Sequence, residues 1–162
     1  MSDNFLYVVP SDPWWRPGPD AGRAAGELVA SLALVGDADG SCEVEWSDGV
    51  EFVDCGENLE RIGCAACGRE LAAGWFRDGL EERYVDGAGF TSLDVVVPCC
   101  GAETTFNDLD YHWPMAFARF AIAVQNGSGL YRSGGDGRLG PEATAAVEEI
   151  LGHSLRQVRA RY

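Results

Sequence analysis

The sequence predicts an α+β fold: a ferredoxin-like antiparallel sheet backed by two helices, with a cysteine-bearing insertion at residues 56–113. The chain has 162 residues, a usual size for one domain, so residues 1–162 are expected to form a single unit. With 56–113 set aside, the hydrophobic patterns run strand, helix, strand, strand, strand, helix, strand. The insertion begins and ends beside turns, where folds tolerate added residues.

The first elements are predicted from β-forming residues and then from helical spacing. Residues 5–9 are rich in β-forming side chains and stop at Pro10, which predicts a strand. After a proline-rich connector, Asp20 is expected to cap a helix that Gly36 ends. The apolar side chains of this helix recur at helical spacing at Ala24, Ala25, Leu28, Val29, Leu32 and Val35.

A β-hairpin is predicted next. Residues 42–46 alternate apolar and polar side chains, which indicates a half-buried strand with its acids on the wet face. The sequence Ser-Asp-Gly at 47–49 predicts the turn, and 50–55 the returning strand. After the hairpin we expect a short helix or ribbon excursion at 75–84 and strands at 90–97 and 104–106. A central strand at 117–125 and a flexible glycine-rich loop at 127–140 follow. The chain is expected to end with a helix at 141–151 and a closing strand at 154–162.

Four of the six cysteines form two pairs. Cys64 and Cys67 stand three positions apart and are followed by Gly68, which permits the positive φ that a tight turn needs. Cys99 and Cys100 follow after 31 intervening residues, in the sequence Val-Pro-Cys-Cys-Gly. Two tethered thiolate pairs suit a tetrahedral Zn²⁺ site, and a closed four-sulfur shell makes the zinc structural. The insertion is therefore expected to be zinc-ribbon-like.

The vicinal pair leaves alternatives open. Adjacent residues of a strand point to opposite faces, so both cysteines reach one metal only if the strand breaks there. Otherwise a single one ligates and the fourth ligand is His112, Asp110, Cys55 or Cys42. The last alternative is that the cysteines bind no metal and are instead buried thiols or a redox pair. Cys42 and Cys55 fall in the predicted hairpin and are expected to be small core residues.

The net charge constrains the partners. The chain carries −14, and all twelve of its basic residues are arginine. Nine acids and no base lie between residues 37 and 60. Such a charge disfavours general nucleic-acid or membrane-surface binding and favours a basic protein partner. The absence of lysine also excludes a phosphate-binding P-loop at the glycine-rich segment 127–140.

Two further groups of residues are candidates for function. Asp108, Asp110 and His112 alternate with apolar residues, and in an extended chain they would share one face as an acid–base or metal site. The alternative for them is local hydrogen bonding in a half-exposed strand or turn. The other group is Trp14, Trp15 and Arg16 in the proline-rich connector. These residues are expected to form either a protein interface or a lid over the open end of the sheet.

The cysteine motifs also carry a resemblance. The chain resembles small acidic actinobacterial proteins of unknown function. The segments that carry the resemblance are 64–68, 97–101, 110–114, 117–120, 151–153 and 156–158. That resemblance implies a bacterial zinc-knuckle protein and no specific activity. Family members often have proline after the first cysteine, where this chain has Ala65, so its knuckle is less rigid.

These patterns lead to one functional expectation and one alternative. We expect a cytoplasmic, zinc-stabilised protein-interaction or regulatory module, one that neutralises a basic partner, without catalysis. The N-terminus is acidic and its apolar run at 5–9 is too short for a signal peptide, which supports the compartment. The alternative is a thiol-redox or metal-dependent enzyme that uses the cysteine pairs or the Asp108, Asp110 and His112 group.

Overall fold

The computed structural model describes residues 2–36 and 39–162 of the chain. It is a mixed α+β structure with three helices and antiparallel sheets, as the hydrophobic patterns predict. Asp37, the first acid of the predicted acidic run, lies outside the described residues. Among the described helices, none is long and apolar enough to cross a membrane.

The chain contributes eleven described strands and three α-helices. The helices are α1 (Pro19–Ala33), α2 (Ala73–Arg83) and α3 (Pro141–Leu151). The strands are β1 (Asn4–Pro10), β2 (Ser41–Val53), β3 (Arg61–Gly63), β4 (Glu70–Leu71), β5 (Tyr84–Val85), β6 (Gly89–Phe90), β7 (Asp94–Val96), β8 (Glu103–Thr105), β9 (Asp110–His112), β10 (Ala116–Gln125) and β11 (Leu155–Arg161).

The largest sheet has the order β11-β1-β10-β2-β6-β5, and adjacent strands pair antiparallel. The elements that follow β2 and precede β10 also form two small sheets, β4-β3-β9 and β7-β8. The two cysteine pairs lie between strands of these small sheets, whereas β5 and β6, which also fall within 56–113, extend the large sheet.

One face of the large sheet packs against α1 and α3. Alternate residues of β1 and β10, such as Leu6, Val8 and Ile122, are buried there with Val29 and Val147 of the helices. Helix α1 lies very close to β2, because a Cβ added at Gly26 would stand 2.3 Å from a methyl of Val44. Small residues on α1 therefore set how near the helix and sheet can approach.

The predicted hairpin at 42–55 is wrong, because β2 is one thirteen-residue strand. Trp46 pairs with Phe120 of β10 and Glu51 pairs with Ala118, so residues 47–50 face the single residue Arg119. The turn-forming Ser-Asp-Gly sequence thus makes a bulge that keeps the strand in the sheet. Arg119 fills it, donating through Nε to the carbonyl of Asp48 at 3.1 Å.

The second core joins the sheet to the elements between β2 and β10. Phe117 of β10 lies against Phe106, with ring centroids 6.2 Å apart, and against Phe90 at 5.4 Å. Phe76 of α2 meets Phe106 edge to face at 5.5 Å. Such aromatic contacts, fully buried at Phe106 and Phe117, anchor the cysteine-bearing elements to the sheet.

Several element boundaries differ from the prediction. Gly18, rather than Asp20, occupies the N-cap of α1, and Pro19 begins the helix. The strand expected at 90–97 is divided into β6 and β7, which join different sheets. The glycine-rich segment, predicted to be a loop, contains 3-10 helix over Ser128–Gly134.

Candidate metal centre

The first cysteine pair lies in the hairpin loop between β3 and β4. The amide of Cys64 donates to the carbonyl of Arg69 at 2.9 Å, and the amide of Gly68 donates back to Cys64 at 2.8 Å. Gly68 has a φ of +76°, a left-handed conformation that other residues rarely adopt. These bonds fold the loop so that Cys67 returns towards Cys64, which is the knuckle that the sequence predicts.

The second pair lies in the loop between β7 and β8. This loop has the same pattern of backbone hydrogen bonds as the loop between β3 and β4. The amide of Val97 donates to Ala102 at 3.0 Å, and the amide of Gly101, with a φ of +74°, donates to Val97 at 3.0 Å. Cys100 therefore occupies the place of Cys67, and Val97 that of Cys64. Cys99 supplies the remaining thiol from inside the turn, which is the break in strand geometry that vicinal ligands require.

The four sulfurs converge on one point between the two loops. The Sγ atoms of Cys64, Cys67, Cys99 and Cys100 all lie within 4.8 Å of one another. Those of Cys64 and Cys100 are 3.9 Å apart, and those of Cys67 and Cys99 are 3.3 Å apart. A tetrahedral Zn²⁺ with bonds of ~2.3 Å places its sulfurs about 3.8 Å apart. The thiols are free, and their number, softness and spacing fit a metal ion of this kind.

The four cysteines differ in exposure and in the pKa of their thiols. Cys64 is buried, Cys99 is half-buried, and Cys67 and Cys100 are exposed. Hydrogen bonds from the backbone of Cys67 and of Ala66 lower the pKa of the Cys64 thiol to about 7. Desolvation, followed by the neighbouring thiols, raises the pKa of Cys99 to about 12. One side of the cluster is thus enclosed by protein while the other faces solvent.

Two arginines lie beside the four-cysteine cluster. The cysteine pattern alone did not identify them as part of the site. Arg69 Nη1 reaches the carbonyl of Cys99 at 3.5 Å, from one loop to the other. Arg61 Nη2 reaches the carbonyl of Gly68 at 3.4 Å. The sequence signal was the position of Arg61 and Arg69 next to the first knuckle.

The alternative ligands lie elsewhere. Among the described residues, the four-cysteine group is the single cluster of metal-capable side chains, and neither His112 nor Asp110 belongs to it. Cys55 is fully buried in the second core, where burial raises its pKa to about 11. Cys42 is half-buried on β2, with its Sγ 3.8 Å from the carbonyl of Gly26. Both therefore lie within packed parts of the fold, Cys55 being the more enclosed.

The Asp108, Asp110 and His112 group is brought together only in part. Asp110 and His112 share a face of β9, with Oδ2 and Nε2 3.4 Å apart. Asp108 lies in the 3-10 turn Phe106–Asp108, where its carboxylate accepts a hydrogen bond from Thr105 at 2.8 Å. Asp108 is thus held by a local hydrogen bond, apart from Asp110 and His112. This is the arrangement predicted by the alternative of local hydrogen bonding.

The predicted interface residues are divided between packing and solvent. Trp15 stacks on His153, with ring centroids 4.3 Å apart. Arg16 donates to the carbonyl of Ser47 at 2.8 Å, at the bulge of β2. Trp14 is 46% exposed, so it is the member of the three that offers a large apolar surface.

Comparison of the chain with protein-family models, with curated proteins and with solved structures gave no match. The resemblance to small acidic actinobacterial proteins stays a prediction. The candidate site therefore rests on its own geometry, namely four thiols from two matching hairpin loops.

Proposed function

We propose that this chain is a cytoplasmic protein-interaction or regulatory module whose structure depends on a bound zinc ion. Cys64, Cys67, Cys99 and Cys100 are its ligands, and the ion joins the two hairpin loops. The observation that carries the proposal is the convergence of four sulfurs within 4.8 Å of one another. A metal–sulfur shell of this kind joins the short strands on either side of it and contributes to their folding.

The proposal includes the finer description of the fold. Strands β11-β1-β10-β2 with α1 and α3 follow the connections of a ferredoxin-like sheet, and both helices contribute to one core on the same side. The insertion at 56–113 is zinc-ribbon-like. Its support is the pair of small sheets, β4-β3-β9 and β7-β8, each of which presents one knuckle.

A structural role for the zinc follows from the ligand set. Four thiolates complete a tetrahedral shell and leave no position for a water molecule or a substrate. The side chains that could act as an acid and a base are divided, since Asp108 is bonded to Thr105 and stands apart from the pair of Asp110 and His112. Protein interaction therefore accounts for the site better than catalysis does.

Metal analysis of the full chain, purified without added metal, tests the proposal. We expect roughly one zinc per chain in the native protein. Cys67→Ser should lose most of the zinc and lower the melting temperature. Cys42→Ser is the matched control, because it removes a thiol that lies outside the cluster, and it should keep the zinc.

Two outcomes would overturn the metal site. One is native protein without zinc that melts at the same temperature before and after zinc is added. The other is equal loss of zinc in Cys67→Ser and Cys42→Ser, because that result would place the ion elsewhere.

A thiol-redox activity is the second candidate. It is favoured by the exposure of Cys67 and by the 3.3 Å between its sulfur and that of Cys99. A redox cysteine must be accessible and ionised. Rapid alkylation of a single cysteine in the zinc-loaded protein would support this candidate, whereas protection of all four ligands would argue for the structural role.

A further inference from the structure

The large sheet has a second face, opposite α1 and α3. Tyr7 points to this face, because its neighbours Leu6 and Val8 are buried against the helices. Tyr7 pairs with Ala123, and Ala121 pairs with Glu45, so these residues share the face. The insertion covers only part of it, and Glu45 remains exposed.

A hollow of about 240 Å³ opens on this face. Its apolar part includes Ala118, Ala121 and Phe52, and its rim includes the tyrosines Tyr7 and Tyr162. The remaining ionisable residues that line it are Glu45, Glu51 and Asp54. The hollow thus combines small apolar residues and aromatic rings with carboxylates, and its lining includes no basic residue.

The carboxylates of this hollow form no salt bridge with a described residue of the chain. Among residues 2–36 and 39–162, the observed salt bridges involve other acids than Glu45, Glu51 and Asp54. Glu51 accepts a hydrogen bond from Tyr84 at 2.9 Å, which leaves its charge in place. The pKa of Tyr7 is raised, first by burial and then by Tyr162, with smaller contributions from Glu45 and Asp54. The hollow therefore has a negative potential.

We propose that this face binds an arginine-bearing segment of a partner protein and that one guanidinium enters the hollow between Tyr7, Glu45 and Asp54. The inference rests on the proposed function as an interaction module and gives its partner a chemistry. A guanidinium is planar, stacks on aromatic rings and binds carboxylates through two parallel hydrogen bonds. Those are the groups that the lining offers.

Charge complementarity selects this occupant over others. Nucleic acid and anionic lipid would bring more negative charge to a rim that already holds three carboxylates. A second copy of the chain carries a net charge of −14 and would be repelled at long range. A basic segment of another protein is attracted both by the carboxylates of the hollow and by the negative net charge of the chain.

Fluorescence anisotropy on the zinc-loaded full chain tests the inference. The probe is a labelled peptide of alternating arginine and serine, and its control has citrulline in place of arginine, which keeps the shape and removes the charge. We expect saturable binding of the arginine peptide alone. Glu45→Gln combined with Asp54→Asn should weaken this binding by about tenfold, because two charge-assisted contacts are lost.

A matched variant separates the hollow from net charge. Glu142→Gln combined with Glu149→Gln makes the same charge change on exposed positions of α3 and should alter the affinity by less than about twofold. Amide chemical shifts give a second readout, with changes expected at Tyr7, Ala121 and Tyr162. Equal binding of the two peptides, equal weakening by the two double variants, or shifts confined to α3 would each overturn the inference.

Zinc content of the same samples distinguishes the two proposals. Stoichiometric zinc with no binding of the arginine peptide would overturn the docking face and leave the metal site intact. Peptide binding that responds to Glu45 and Asp54, in protein that is purified without zinc and melts at the same temperature after zinc is added, would overturn the metal site and support the docking face.

Discussion

Arg156 of β11 donates to Asn107 twice, to the side-chain Oδ1 at 3.0 Å and to the backbone carbonyl at 2.9 Å. Asn107 is buried, and its Oδ1 also accepts from the amide of Phe117 at 3.1 Å. Its Nδ2 reaches the carbonyl of Ser11 at 3.3 Å. One amide side chain therefore ties the insertion to three parts of the large sheet: the end of β1, β10 and β11.

Asn107→Ala should lower the free energy of unfolding by about 2–3 kcal/mol, because it leaves the buried Phe117 amide without its acceptor and removes one of the two bonds from Arg156. Urea denaturation measures the change. Asn58→Ala is the control, since Asn58 makes one such bond, to the carbonyl of Arg159 at 3.1 Å. Its loss should be about 1 kcal/mol or less. Equal losses in the two variants would contradict the connecting role of Asn107.

Glycines in two helices should respond in opposite directions to alanine. Gly26→Ala places a methyl 2.3 Å from Val44, and we expect a net loss of about 1–2 kcal/mol despite the better helix propensity of alanine. Gly74→Ala in α2 has nothing within 4 Å of the new Cβ and should stabilise by about 0.5 kcal/mol. Thermal denaturation of both variants checks the pair. A stabilised Gly26→Ala would show that α1 can move away from β2 without cost.

The matching loops predict that a lost ligand can be restored from a different position. Cys99→Ser should lose most of the zinc. Val97→Cys added to Cys99→Ser should regain it, because Val97 has the hydrogen bonds that Cys64 has in the first loop. Zinc content and melting temperature report the rescue. If the double variant binds no more zinc than Cys99→Ser, the two loops are not equivalent around the metal.

Stability should fall in alkali partly through Cys55. Burial, with a smaller contribution from Asp54, raises the pKa of this thiol from its usual 9.0 to about 11. The protonated thiol is favoured in the fold, so its contribution is present below about pH 9 and is lost as the pH rises to about 11. The loss attributable to Cys55 is about 2–3 kcal/mol.

Cys55→Ala removes this titration, so its free energy of unfolding should fall less steeply over that pH range than that of the native chain. Urea denaturation at a series of pH values provides the comparison. Tyr7, Tyr111 and Tyr162 also have raised pKa values and remain in both proteins. The difference in slope therefore reports the thiol together with its small effect on Tyr162, whose pKa Cys55 helps to raise. Identical slopes would contradict the assignment.

Local patterns predicted the α+β class, the order of the major elements and the four cysteines that converge. They failed where a tertiary contact decides the outcome. Ser47, Asp48 and Gly49 favour a turn on their own, yet β10 holds both halves of β2 and Arg119 occupies the bulge. The vicinal cysteines were ambiguous for a similar reason, because the turn that aims Cys99 and Cys100 at one point is set by bonds between Val97, Gly101 and Ala102.

The bulge in β2 also lies between the two sides of the hollow. Glu45 stands before residues 47–50, on the part of the strand that α1 supports, whereas Glu51 and Asp54 follow them. Phe52, next to Glu51, contacts Phe76 of α2 with ring centroids 5.8 Å apart. A displacement of the cysteine-bearing elements would therefore reach Glu51 and Asp54 before Glu45.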